Sequence, residues 1–211
     1  MIILIGNLKG GVGKTTLSLA LSSHLSQKEQ KVTLLDMESS APLYSLYKEE
    51  YSRANYLPYS VEHYLDPRKK WDYAQLLQKK TEPGYFIVDL PSFPKKEHQL
   101  LIQLSDLVVV PYEYSSLTLR STLVFINYLK LLNNGSPIFF LRWNLNRSRV
   151  YKNQSAMDLS FLKEGEIIRY PVYNLSALSE LSVKGLSSEQ RAPVARAFDE
   201  LYEYIQVIEN E

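Results

Sequence analysis

The chain has 211 residues, 45% hydrophobic and 22% charged, a size and balance that fit one globular domain with a sizeable core. It contains no cysteine, which excludes disulfides and cysteine-bound iron–sulfur clusters. The net charge of +1 gives no overall attraction to nucleic acid, and neither a membrane-length apolar run nor a signal peptide is visible, so we expect a cytoplasmic protein.

A glycine-rich loop, residues 9–16 with the sequence KGGVGKTT, follows an apolar run at residues 2–5 that predicts the first strand. Leucines then recur at helical spacing, so a helix begins near Lys14. Glycines allow the backbone to turn several N–H groups toward one point, which the positive end of the helix also faces. The loop therefore predicts a phosphate cradle in which Lys14 reaches the β- and γ-phosphates and Thr15 binds Mg²⁺.

The loop departs from the common pattern G-x-x-x-x-G-K-[ST], because Leu8 stands where that pattern has its first glycine. It matches instead K-G-G-x-G-K-[ST]-[ST], in which a second lysine, Lys9, precedes the glycines. This form resembles the ParA/MinD family of deviant Walker A ATPases, most closely the small ParA plasmid-partition proteins without an N-terminal DNA-binding domain. The resemblance implies a single P-loop NTPase domain over residues 1–211, an α/β fold with a mostly parallel twisted sheet and helices on both faces.

The resemblance also implies how the cofactors, ATP and Mg²⁺, are held. Two subunits would enclose two ATP molecules, with Lys14 on the phosphates of its own nucleotide and Lys9 reaching the partner's. The loop residues implied to bind nucleotide are Lys9, Gly10, Gly11, Val12, Gly13, Lys14, Thr15 and Thr16.

A second buried strand, residues 31–36, ends in Asp36 and leads into the segment DMESS. The strand, helix and strand form a right-handed unit with parallel strands, so Asp36 emerges at the ligand-binding edge. In the family the first acid of this segment holds a Mg²⁺-bound water, which makes Asp36 a metal and catalytic candidate. Glu38 replaces the aspartate that orients the attacking water, so it either supports slow hydrolysis or is a surface acid. Ser39 and Ser40 replace the family's Pro-Gln.

Residues 41–80 are rich in tyrosine and charge, with Arg68, Lys69 and Lys70 in a loop. The apolar spacing fits one helix near residues 43–51 and another at residues 71–80. The interpretation we favour is that the tyrosines of this segment pack in the core and at its rim. The alternative is that they form a partner-binding surface.

The apolar residues 85–88 are followed by Asp89 and Pro91, and this resembles the family's Walker B strand, h-h-h-h-D-x-P. The resemblance assigns Asp89 to Mg²⁺, opposite Thr15. A further buried strand at residues 107–111 and a helix at residues 116–132, ended by residues 133–136, are scaffold.

The strand at residues 138–141 precedes the place where family members present an adenine-contacting asparagine, for which Asn144 and Asn146 are both candidates. A late strand with its proline turn at Pro171 resembles the segment that returns over the base. Four basic residues in this region either contact DNA phosphates or form a solvated face. They are Arg142, Arg147, Arg149 and Lys152.

The last predicted helix, residues 193–208, has an apolar face and an opposite face with Asp199, Glu200 and Glu203. A helix on a membrane surface carries lysine and arginine on its polar face. We therefore expect the last helix to pack on the sheet, and we expect no membrane partner.

The resemblance implies a ParA-like ATPase, with Lys9, Lys14, Asp36 and Glu38 as its catalytic residues. Catalysis would come from positioning and electrostatics. The ATP-bound homodimer would bind nonspecific DNA of the nucleoid and segregate or position plasmid or chromosomal cargo. A centromere-binding or cargo adaptor protein would stimulate hydrolysis. The alternatives are a MinD-like or orphan positioning ATPase that acts on a membrane or protein assembly, and a P-loop enzyme that phosphorylates a metabolite.

Overall fold

A seven-stranded sheet with helices on both faces forms the described part of the computed structural model, which covers residues 1–54, 56–66, 71–132, 135–174, 177–178 and 182–210. The strands are β1 Ile2–Ile5, β2 Val32–Asp36, β3 Ser60–His63, β4 Tyr85–Asp89, β5 Leu107–Tyr112, β6 Ile138–Arg142 and β7 Glu166–Ile167. The helices are α1 Lys14–Gln27, α2 Pro42–Tyr51, α3 Tyr73–Thr81, α4 Gln99–Leu104, α5 Ser116–Leu131, α6 Gln154–Phe161 and α7 Ser188–Glu209.

The strand order is β3-β2-β4-β1-β5-β6-β7, and every pairing is parallel. The central strands β1, β2, β4 and β5 are buried along their whole length, because helices cover both faces. All carboxyl ends therefore meet at one edge of the sheet, where the loops after β1, β2, β4 and β6 begin. The predicted α/β fold with a parallel sheet is confirmed.

Alternate residues of β1 enter two separate hydrophobic cores. Ile3 and Ile5 face the side packed by α1, α2 and α7, whereas Ile2 and Leu4 face the side packed by α3, α4, α5 and α6. The last helix belongs to the first core through buried residues on one of its faces, as the sequence predicts. These residues are Val194, Ala197, Phe198, Leu201 and Ile205.

The last helix begins five residues before the predicted start at Pro193, which lies inside α7. The predicted start rests on the frequent occurrence of proline in the first turn of a helix. The true start is set by a capping box: the Ser187 hydroxyl accepts from the Gln190 N–H at 3.3 Å, and the Ser187 N–H donates to the Gln190 side-chain oxygen at 2.8 Å.

The edge strand β3 is not predicted by the sequence analysis, because Val61 is its single buried residue. Residues 166–172 resemble a late strand followed by a proline turn, and within them Glu166 and Ile167 pair with β6 as a strand. The predicted loop of Arg68, Lys69 and Lys70 and the helix end at Asn133 and Asn134 lie outside the described residues.

The tyrosines of residues 41–80 divide between packing and exposure. Tyr59 is buried, and Tyr64 stacks on Trp71 with the ring centroids 6.5 Å apart. Tyr51 and Tyr56 are exposed, at 62% and 79%. The preferred packing interpretation therefore holds for part of this set.

We predict that Phe198→Ala lowers the free energy of unfolding by about 3 to 5 kcal/mol. The ring is fully buried, stacks on Trp143 with 6.1 Å between centroids, and makes an edge contact with His24, so truncation leaves a cavity between α7, α1 and the sheet. Denaturant unfolding measures the change. Val207→Ala, at an exposed position of the same helix, should stay within about 0.5 kcal/mol, and equal losses in both variants would contradict the packing described.

Candidate nucleotide-binding site

The loop after β1 is anchored by Asn7, a fully buried residue that sequence reasoning missed. Its amide group donates to the Pro111 carbonyl at 3.0 Å and to the Thr122 hydroxyl at 2.8 Å, and its side-chain oxygen accepts from the Lys9 N–H at 2.9 Å. The loop is thus tied to β5 and α5 before the glycines begin. The only sequence signal for this role is an amide side chain close behind a fully apolar strand.

Gly13 ends the loop in a backbone conformation that favours glycine, with φ of +93°, and α1 begins at the next residue. A Cβ atom at Gly13 would lie 2.5 Å from the indole nitrogen of Trp143, so a larger residue is excluded on both grounds. Because glycine has no side chain to cap the helix, the N–H groups of its first turn can serve an anion.

Lys14 lies inside the cradle with 7% of its surface exposed. Its ammonium group donates to the Ser92 hydroxyl at 2.7 Å and lies 3.5 Å from the Lys9 carbonyl. Burial lowers the pKa of Lys14, and the carboxylates of Asp89 and Glu38 oppose this shift. Lys9 is half-buried, and its ammonium donates to the Gly10 carbonyl at 2.8 Å.

Thr15 and Asp89 come together, as the sequence predicts. The Thr15 hydroxyl donates to one carboxylate oxygen of Asp89 at 2.8 Å, and the Ser18 hydroxyl donates to the other at 2.9 Å. Burial raises the pKa of Asp89 to about 7, and the nearby charge of Asp36 adds to the rise, whereas the two hydroxyl hydrogen bonds oppose it.

These oxygens fit a magnesium site completed by nucleotide phosphates and water. Asp36 and Asp89 are directly paired in the sheet register, and hydroxyl and carboxylate oxygens are ligands that Mg²⁺ accepts. Among the described residues there is no group of three acidic, histidine or cysteine side chains that could hold a metal by itself. Magnesium commonly binds through one or two carboxylates plus substrate phosphates, and the carboxylates of Asp36 and Asp89 could supply the protein part of such a set.

Asp36 has a structural task in addition to the predicted one. One carboxylate oxygen accepts from the Glu38 N–H at 3.1 Å, and the other accepts from the N–H groups of Leu43 and Tyr44 at 2.9 and 3.1 Å. The carboxylate thereby serves the start of α2, where the N-cap residue Ala41 has no side-chain hydrogen bond to offer. Asp36 therefore fixes the loop that carries Glu38.

Glu38 is half-buried and lines a cavity of about 220 Å³ beside the cradle. Ser92, which binds Lys14, lines the same cavity, and Pro91 and Phe93 form part of its wall. Glu38 therefore shares a cavity with the serine that accepts a hydrogen bond from Lys14. Sequence reasoning did not identify Ser92, because a lone serine after a strand carries no signal.

A second cavity, of about 290 Å³, opens on the other side of the cradle. Its lining residues are Gly11, Gly13, Thr16, Trp143, Asn144, Asn174 and Leu178. Asn144 is exposed at this cavity and has φ of +62°. Asn146 instead closes a turn of its own, because its side-chain oxygen accepts from the N–H and the hydroxyl of Ser148 at 2.9 and 2.8 Å.

The segment that returns beside β6 presents Asn174 to this cavity, whereas the predicted Pro171 is half-buried and is not among the lining residues. The position of Asn174 is set by backbone pairing, since its N–H donates to the Leu145 carbonyl at 2.8 Å. Such pairing between distant segments cannot be read from the sequence. The cavity is lined by the side-chain amides of Asn144 and Asn174, which can donate and accept hydrogen bonds with a nucleotide base.

The four predicted DNA-contacting residues fall into two groups. Arg142 has 17% of its side chain exposed, and its guanidinium donates to the carbonyls of Ile168 and Arg169 at 3.0 and 2.7 Å. These hydrogen bonds occupy the guanidinium within the fold. Arg147, Arg149 and Lys152 are exposed. We call these last three residues the basic loop.

Comparisons with known proteins agree with this geometry. The family model described as the CobQ/CobB/MinD/ParA nucleotide binding domain (CbiA) matches residues 3–209. The chain belongs to this family. No curated protein sequence matches the chain. The ParA/MinD type of ATPase fold, with its nucleotide-binding loop, therefore extends over nearly all of the sequence.

Solved structures of this fold are similar at low sequence identity. A protein of Borrelia burgdorferi described as a plasmid partition protein, bound to AMPPNP, has a TM-score of 0.76 and 17% identity over 96% of this chain and 98% of its own. A chain of the MinC:MinD cell division protein complex of Aquifex aeolicus has a TM-score of 0.71 and 17% identity over 97% of this chain and 95% of its own. An ATP complex of a Cyanothece McdA variant has a TM-score of 0.62 and 19% identity over 97% of this chain and 96% of its own.

No helix among the described residues combines the length and the apolar character that a membrane span requires.

We predict that Asn144→Asp weakens ATP binding about tenfold, because a carboxylate cannot donate the hydrogen bond that an amide offers to adenine. Aspartate keeps the size of asparagine and tolerates the positive φ at this position, so the fold is preserved. Calorimetric titration with ATP measures the effect. Asn146→Asp introduces the same charge two residues away and should bind ATP like the wild type, and a similar loss in both variants would contradict the assignment.

Proposed function

We propose that this chain is a ParA-like ATPase that cycles between ADP and ATP states, dimerises around ATP, and in that state binds nonspecific DNA to segregate or position a cargo. The observation that carries the proposal is the pair of lysines on the glycine loop. Lys14 is buried in the cradle, whereas Lys9 lies at its half-buried rim, tied only to the neighbouring Gly10 carbonyl among the described residues. An ammonium group at the rim could contact the phosphates of a nucleotide that is bound by a second subunit.

The same residues support a hydrolytic step in which water attacks the γ-phosphate and yields ADP and inorganic phosphate. Lys14 would stabilise charge on the phosphates, and Glu38 would orient the water. Mg²⁺, when bound by Thr15 and the acids beside it, would neutralise phosphate charge. Glutamate at position 38 has one methylene more than aspartate, so we propose that hydrolysis is slow until an adaptor protein on the cargo stimulates it.

DNA binding is supported by the basic loop. Arg149 and Lys152 line a cavity of about 380 Å³ with Tyr114 and Tyr151, at the same sheet edge as the cradle. The Arg149 guanidinium lies 5.3 Å from the centre of the Tyr151 ring, which holds it at the surface. Exposed arginines on a loop of this kind contact DNA phosphates without reading the base sequence.

The experiment that tests the proposal is binding to arbitrary duplex DNA at several salt concentrations, with ATP and Mg²⁺ and then with ADP and Mg²⁺. We expect binding with ATP only, and Arg149→Ala should reduce the slope of log affinity against log salt by about one per subunit, since one phosphate contact is lost. Lys163→Ala removes an exposed cation that follows α6, near the opposite sheet edge, and should leave the slope unchanged. DNA binding that is equal in both nucleotides would contradict the proposed switch.

A separate prediction concerns Lys9. In Lys9→Ala the molar mass with ATP and Mg²⁺ should remain near 24.4 kDa, while the wild-type mass should double, because the contact across the dimer is lost. Light scattering after size-exclusion chromatography measures the masses. ADP binding to each subunit should be retained. Lys31→Ala, an exposed lysine before β2, should dimerise like the wild type. A normal dimer of Lys9→Ala would remove this residue from the interface.

A further inference from the structure

Trp143 is a buried side chain whose single polar group is left without a partner. It follows β6 directly and is 2% exposed. Its backbone N–H donates to the Tyr112 carbonyl at 2.8 Å, and its ring stacks on Phe198, so both the backbone and the ring are held in place. Within the part of the chain that the structure describes, the indole N–H has no acceptor. An indole N–H can only donate, and a buried donor that stays unpaired is unfavourable and calls for an explanation.

The unpaired N–H lies beside the phosphate loop. A Cβ atom built on Gly13 would be 2.5 Å from the indole nitrogen and 2.7 Å from the adjoining ring carbon Cδ1, so this edge of the ring faces the loop. Trp143 also lines the 290 Å³ cavity, together with Gly11, Gly13 and Thr16 of the loop and Asn144 beyond it. The ring nitrogen is therefore located where the cavity meets the cradle.

A nucleotide that occupies both the cavity and the cradle has its α-phosphate at this junction. The backbone N–H groups of a P-loop hold the α- and β-phosphates, whereas the amides of Asn144 and Asn174 can serve the base in the cavity. The α-phosphate joins the sugar that carries the base to the β-phosphate, so it must pass between the two. Its oxygens are charged acceptors, which form stronger hydrogen bonds than neutral ones.

We propose that the Trp143 indole N–H donates a hydrogen bond to a non-bridging oxygen of the nucleotide α-phosphate and thereby aligns the nucleotide between the cavity and the cradle. This inference rests on the nucleotide binding of the proposed function, and it requires neither the dimer nor the DNA contact.

The donor is held in position before a nucleotide arrives. The stacking on Phe198 and the backbone bond to Tyr112 fix the indole, so little side-chain freedom is lost when the nucleotide binds. Lys14 serves the β- and γ-phosphates, whereas the indole N–H serves a group that ADP and ATP share. Trp143 therefore contributes equally to the binding of both nucleotides.

The first test compares ADP affinities by calorimetry, because ADP carries the α-phosphate and keeps the proposed ATP dimer out of the measurement. Trp143→Phe retains an aromatic ring beside Phe198 but has no N–H, so we expect ADP to bind about threefold to tenfold more weakly. Trp71→Phe is the matched control, since Trp71 packs on Phe86 in the opposite core, and it should bind ADP like the wild type. Thermal unfolding checks that each variant is folded.

A sulfur-substituted nucleotide separates the hydrogen bond from a change in packing. In ADPαS one non-bridging oxygen of the α-phosphate is replaced by sulfur, which is a weaker acceptor. The loss of affinity relative to ADP should be about threefold to tenfold smaller in Trp143→Phe than in the wild type for one of the two diastereomers. Equal losses in both proteins, for both diastereomers, would overturn the hydrogen bond.

The indole N–H itself gives a direct readout by NMR. The chain has two tryptophans and therefore two indole signals in a ¹H–¹⁵N spectrum, and Trp71→Phe identifies the signal of Trp143. Saturation with ADP should move the proton of this signal downfield and slow its exchange with water, because the proton becomes hydrogen-bonded. An unchanged Trp143 signal, or ADP binding by Trp143→Phe that is as tight as that of the wild type or tighter, would overturn the role of Trp143 alone. Failure of the wild type to bind any nucleotide would overturn this role and the proposed function together.

Discussion

The hydrogen bonds of Thr15 and Ser18 to Asp89 determine where everything else in this site can lie. They fasten the first turns of α1 to the end of β4, a central strand beside β1, so the helix must start at the carboxyl edge of the sheet. Desolvation of the Asp89 carboxylate is unfavourable, and two hydroxyl donors compensate part of that cost. Because α1 is fixed at this end, the glycine loop before it and Lys14 within it converge on one point.

Two further contacts extend this arrangement to both sides of the cradle. On one side the Asp36 carboxylate binds the backbone at the start of α2 and thereby orders the loop with Glu38. On the other side Trp143 packs against Gly13 and stacks on Phe198, which connects the cavity lined by Asn144 and Asn174 to α7. Short, direct contacts therefore connect the cradle to the loop that carries Glu38 and to the last helix.

The central strands and the phosphate loop were predictable because their signals are local. A strand that is buried on both faces is a continuous apolar run, and a glycine loop with lysines between such a run and a helix is typical of phosphate binding. The edge strand β3 has one buried residue, and the start of α7 depends on a capping box that a proline obscured. Asn174 and Ser92 reach the site only through contacts between distant segments, so no pattern near them in the sequence reveals their roles.

Calorimetric titration of the unmodified chain with ATP shows whether this edge of the sheet binds a nucleoside triphosphate together with magnesium. One titration contains Mg²⁺ and the other contains a chelator in its place. We expect one ATP per chain and a much weaker interaction without the metal, since Thr15 and Asp89 would then lack the ion that connects them to the phosphates. No measurable ATP binding, or the same affinity with and without Mg²⁺, would contradict a magnesium-dependent nucleotide site.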